Sequence, residues 1–178
     1  MVYPLYYPSA HAICTLPVLH SFSLKTGCGL RNVCLLNLFA WLIRRMRKEF
    51  EDQLYERYPE IFSELRQSKG KGGTFRGIAC GDGWFTLIDT LCAEIQFYID
   101  QNQAPQVVAT QVKEKLGTLR FYTLGSGDER TRGMAQMACA ISAHTCEVCG
   151  SLAKRCEMRG IQTLCDVHRI EQEKNNSA

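Results

Sequence analysis

The chain has 178 residues, 21 lysines and arginines against 18 aspartates and glutamates, and 10 cysteines. With 46% hydrophobic and 22% charged residues it has a globular composition, which excludes a globally disordered chain, a collagen-like repeat and a polytopic membrane protein. The length suits one ordinary domain, or one domain with a small appendage, and a core that needs no disulfides.

The charge is unevenly spread. Residues 1–45 carry four bases, Lys25, Arg31, Arg44 and Arg45, and no acid. The other 17 bases and all 18 acids leave residues 46–178 at a net −1. That span therefore lacks the broad basic footprint of a non-specific nucleic-acid binder. Pro4, Pro8 and Pro17 punctuate the first 32 residues, where no helical or strand period is sustained. The apolar run Val33–Ile43 is 11 residues long, short of the ~20 needed to span a bilayer. Its basic flank follows it, the reverse of a secretory signal. One reading of residues 33–43 is a helix touching a membrane surface. The other starts the native protein at Met46 and treats residues 1–45 as translated upstream sequence, because the composition changes at that methionine. Residues 1–30 are expected to be poorly ordered.

From Met46, the positions Phe50, Leu54, Tyr55 and Tyr58 predict a helix, with acids on its opposite face. Pro59 ends it and can open a second short helix over residues 60–65. Residues 68–73 read as a connector whose glycines lack P-loop spacing. A short strand is expected over Thr74–Ala79, and Asp82 is a candidate N-cap for the long apolar helix that follows. Trp84, Phe85, Leu87, Ile88, Leu91, Cys92, Ile95, Tyr98 and Ile99 give that helix a wide apolar face, marking it as the centre of the core. Asp89 and Glu94 lie off this face and read as surface carboxylates. Residues 106–122 predict a β-hairpin turning near Lys115–Gly117. Glu114-Lys115 does not have the D/E-x-K spacing of a metal-dependent nuclease. Asp128 or Ser126 can cap a helix over Glu129–Ala143, with Met134, Met137, Ala138 and Ile141 as its apolar stripe. The order of elements predicts an α+β fold, with helices packed on a small antiparallel hairpin or sheet.

The most specific signal is Cys146-Glu147-Val148-Cys149, a 15-residue interval, then Cys165-Asp166-Val167-His168. Zinc takes four thiolate or imidazole ligands in a tetrahedron. A C-x2-C pair brings two sulfurs to one ion from a tight turn, and C-x2-H does so from the first turn of a helix. The interval accommodates a hairpin with strands near Lys154–Met158 and Gln162–Leu164, and residues 169–174 can continue as a helix. A knuckle, a hairpin and a helix carrying the last ligands make a treble-clef arrangement. Cys146, Cys149, Cys165 and His168 are thus the expected ligands of a structural Zn²⁺. Cys156 and His144 are competitors, and Cys80, Cys92 and Cys139 fit as small core residues. Disulfides are not expected without a secretory signal. Four ligands leave no open position for catalysis, and the hairpin has no histidine to serve as the base of an HNH-type nuclease. The basic runs Lys69/Lys71 and Lys154/Arg155/Arg159 read as solvated surface, or, for Lys154, Arg155 and Arg159, as a surface that meets protein or nucleic acid.

From Met46 onward the chain resembles small uncharacterised proteins of tailed phages and prophages. The resemblance rests on Arg47-Lys48-Glu49-Phe50, Gly81-Asp82-Gly83-Trp84 leading into Leu87-Ile88-Asp89, Val112–Tyr122, Thr145–Gly150 and Thr163-Leu164-Cys165. It implies a bacterial cytosol and no known activity. The expected organisation is an N-terminal segment 1–45, an α+β domain 46–143 and a zinc-binding module 144–178. The expected role is a non-enzymatic interaction module for a protein or nucleic-acid partner.

Overall fold

The computed structural model describes residues 45–67, 77–125, 127–158 and 160–176. The expectations for residues 1–44, including the apolar run 33–43, and for the connector 68–73 lie outside the described residues.

Helix α1 (Lys48–Arg57) buries Leu54 and Tyr55, and Met46 is buried just ahead of it. Its N-terminus is satisfied from a distance. Asp82 accepts the Arg47 N–H through Oδ1 at 2.7 Å, and Arg47 Nε donates to Oδ2 at 2.5 Å. Asp82 therefore serves α1, not the long helix it was expected to cap. Pro59 lies in a turn, and α2 (Ser63–Gln67) begins four residues after it. The predicted start at residue 60 fails because the chain turns there to bury Ile61 and Phe62 in the core.

Strand β1 (Ile78–Ala79) pairs in parallel with the middle strand β2 (Ala109–Lys115), which pairs antiparallel with β3 (Thr118–Thr123). The fold is α+β, and its sheet adds one parallel edge strand to the expected hairpin. Residues 82–84 form a single 3₁₀ turn ahead of α3 (Phe85–Asn102). α3 buries Ile88, Leu91, Cys92, Ile95 and Ile99, beside a fully buried Trp84. Burying this set contributes on the order of 10 kcal/mol before entropy is deducted. Phe50 stacks on Phe85 at 4.6 Å, and the Tyr58 hydroxyl donates to Asp89 Oδ1 at 3.0 Å, fastening α1 to α3.

Helix α4 (Glu129–Ser142) is capped by Asp128, whose Oδ1 accepts the Thr131 N–H at 2.7 Å. Its inward face is Thr131, Met134, Ala138 and Ser142. Met137 and Ile141, expected on that stripe, are 66% and 47% exposed. The inward face recurs at spacings of three and four residues through two small polar side chains, which a hydrophobicity pattern overlooks. One of them, Ser142, bonds the sheet edge by accepting the Leu119 N–H through Oγ at 2.8 Å.

The chain ends in the hairpin β4 (Lys154–Glu157) and β5 (Ile161–Leu164), followed by α5 (Asp166–Asn176). Beneath this part lies a separate apolar cluster of only Cys146, Ala153 and Leu164, flanked by Cys156 and Cys165. No helix among the described residues is long and apolar enough to cross a membrane.

Candidate metal centre

The knuckle is set by main-chain geometry. Cys146 N–H donates to Ser151 O at 2.7 Å, and Gly150 N–H returns to Cys146 O at 2.8 Å. Gly150 closes the turn with φ at +78°, a conformation that favours glycine. Cys146 and Cys149 thereby point to one side. Cys165 stands at the start of α5, where its carbonyl accepts the Arg169 N–H at 2.9 Å. His168 lies three residues on, in the first turn, so its ring swings back beside Cys165.

These four side chains converge. Their donor atoms all lie within 4.8 Å of one another, and no other group of three or more His, Cys, Asp or Glu among the described residues does so. The Cys149 and Cys165 sulfurs are 3.8 Å apart, and Cys146 Sγ is 3.5 Å from His168 Nδ1. A tetrahedron with Zn–S and Zn–N bonds of ordinary length has edges of about 3.8 Å between sulfurs and about 3.6 Å between sulfur and nitrogen. The Cys165–His168 edge, at 3.1 Å, is tighter. The donor set and its spacing fit a zinc-sized ion, and the four residues can hold a metal.

The local electrostatics suit a cation. Burial works to raise the Cys149 thiol, but hydrogen bonds from the Ser151 hydroxyl and amide, and from Cys146 and Cys165, bring its pKa down to about 6. Burial raises Cys146, against the nearby amides of Cys165, Cys149 and Val148.

The competing ligands stand apart. Cys156 lies half-buried in the hairpin with its thiol 3.5 Å from Gln162 O, and the exposed His144 joins the hairpin through its main chain, its carbonyl accepting the Ala153 N–H at 2.9 Å. Cys80 and Cys92 are buried core thiols, as expected. Cys139 is not: it lies half-buried at the surface, receiving a hydrogen bond from Arg120 Nη1 at 2.7 Å.

The sequence reading missed how the knuckle is seated. Glu147, between the two cysteines, is 1% exposed. Its Oε1 accepts the Gly81 N–H at 3.0 Å, its carbonyl accepts the Gly83 N–H at 2.9 Å, and its own N–H donates to Thr163 O at 3.0 Å. Trp84 Nε1 donates to Thr145 O at 2.8 Å. A Cβ on Gly83 would stand 2.2 Å from Cys146 O and 2.5 Å from Gly150 N, so the two backbones touch directly. The only signal for this in the sequence is the pair of glycines around Asp82.

Comparison of the chain with protein-family models, with curated proteins and with solved structures finds no match in any of the three.

Proposed function

We propose that Cys146, Cys149, Cys165 and His168 hold one structural zinc ion that clasps a treble-clef-type module onto an α+β body, and that the chain is a non-enzymatic interaction protein. The observation that carries this reading is the four-donor cluster, its atoms all within 4.8 Å of one another, over an apolar cluster of three buried residues among those described. So small a core cannot order a hairpin and a helix by burial alone. A structural zinc supplies folding free energy in its place. Four protein ligands complete the usual shell and leave no position for a reacting water. Three thiols in one site also suit a reducing compartment, in keeping with the resemblance to phage proteins of the bacterial cytosol.

The test is metal analysis of the purified full-length chain together with its melting curve. One zinc per chain and a marked fall in melting temperature on chelation are the expected results. A metal-free protein, or a melting curve indifferent to chelator, would overturn the reading. A DNA-nicking assay with Mg²⁺ or Mn²⁺ is expected to give no product.

A further inference from the structure

Taken as sequence, Lys154 and Arg155 read as solvated bases or as part of a surface that meets a protein or nucleic-acid partner. The fold gives them a setting. They lie on β4 and face Thr118 and Arg120 of β3 and Cys139 and His144 of the α4 end, across a cleft of about 440 Å³. Arg120, Lys154 and Arg155 line this cleft and no carboxylate does. Among the described residues, Arg120, Lys154 and Arg155 form no ion pair, and the one hydrogen-bond partner of the Arg120 guanidinium is the Cys139 thiol.

The arrangement is built rather than incidental in two respects. Arg155 runs its Cγ and Cδ along the hairpin turn, where a Cβ on Gly117 would meet them at 3.3 and 3.2 Å. Its stem is therefore positioned, which lowers the entropy lost when the guanidinium grips a ligand. Arg120 is half-buried on a paired strand with its guanidinium resting on Cys139, so it too is preorganised. The nearby C-terminus of α4 offers the equivalent of roughly half a negative charge, too little to neutralise three cations.

Two guanidinium forks and an ammonium suit phosphate oxygens, which arginine binds in bidentate fashion and lysine meets as a point charge. The cleft is open to solvent and has room for a phosphate group. We propose that this cleft binds the phosphoryl group of a phosphorylated ligand, with Arg120 and Arg155 on its oxygens and Lys154 adding charge at the rim. The proposal rests on the clasp reading in one respect: the metal-held hairpin supplies Lys154 and Arg155. The same chemistry is offered by a free nucleotide and by the phosphate of a nucleic-acid strand, and the experiment separates these sources.

The full-length, zinc-loaded protein is titrated calorimetrically at low salt with 5′-AMP, with adenosine as the uncharged control, and with a short 5′-phosphorylated DNA strand. AMP is expected to bind one-to-one and adenosine not at all. Arg120→Met and Arg155→Met keep the apolar stems and are expected to weaken AMP about tenfold or more. Lys174→Gln, on α5 outside the cleft, leaves binding unchanged. Competition between the strand and AMP identifies nucleic acid as a source, whereas AMP binding that the strand cannot displace points to free phosphate esters; both outcomes support the cleft. Absence of AMP binding, equal binding of adenosine, or full affinity in the R120M/R155M double variant overturns it. Should R120M lower the melting temperature, R155M and the exposed-site variant K154Q carry the test. Zinc content is measured on every sample, so one zinc per chain with no AMP binding removes this proposal and leaves the clasp standing.

Discussion

Glu147 offers the sharpest test of the seating at the level of single residues. Its carboxylate accepts a buried main-chain N–H from Gly81. Glu147→Ala leaves that donor without a partner and is expected to cost about 1–3 kcal/mol. Glu147→Gln keeps an acceptor oxygen and should cost less; denaturant unfolding of the zinc-loaded protein measures both. Gly83→Ala is expected to be worse, since the new methyl meets backbone at 2.2 Å and nothing there can swing aside. It should lower zinc affinity as well as stability, read by competition with a chromogenic chelator. Titration gives a second test. Burial and then the hydrogen bond to Asp89 hold the Tyr58 phenol well above its usual value of 10.0. The folded state thus keeps its proton where the unfolded chain loses it. This contribution is complete below pH 10 and fades as the pH rises further. Tyr58→Phe should flatten the alkaline fall in unfolding free energy, measured between about pH 9 and pH 11. At this scale the metal donors were legible because ligand spacing is local in sequence. Glu147 was not, because the partner of its carboxylate, Gly81, lies 66 residues away and a lone carboxylate gives no local sign of burial.

Among the elements, the β2–β3 turn and the α4 cap carry the local determinants. Leu116 and Gly117 both have positive φ, +55° and +73°. This is the pair of left-handed residues that a tight hairpin requires, and leucine is a poor occupant of the first position. Its side chain is 55% exposed, so Leu116→Asn should lose little burial and relieve the backbone. A gain of about 0.5–1 kcal/mol is expected, visible as a melting temperature a few degrees higher. Asp128→Ala removes the oxygen that accepts the Thr131 N–H and is expected to lower the melting temperature in the same assay. The hairpin and α3 could be read from the sequence because strong periodicity and turn residues agree there. The shift of α2 to Ser63 and the inward face of α4 could not, since tertiary packing of Phe62 and the Ser142 bond to the sheet edge decide them. Strand β1 falls within the strand expected over residues 74–79, but its parallel pairing with β2 joins positions 34 residues apart and leaves no local sign.

For the molecule as a whole, the metal centre and the helical core are mechanically joined. Trp84 is fully buried in the core and also bonds Thr145, one residue before the first cysteine ligand. Loss of a bound ion is expected to change the emission of this indole, although none of the four candidate ligands belongs to its turn. In a Trp41→Phe background Trp84 is the sole tryptophan, since the chain has two. An emission spectrum blind to chelation there would show the two parts to be independent. The same joint constrains the order of events during synthesis. The Gly81–Trp84 turn leaves the ribosome well before its acceptors on Thr145 and Glu147 exist, so its amides and indole face water until the knuckle arrives. A nascent chain stopped before residue 145 is therefore an incomplete body as well as one without the Cys/His cluster, and quality-control proteases should find its α3 entrance open.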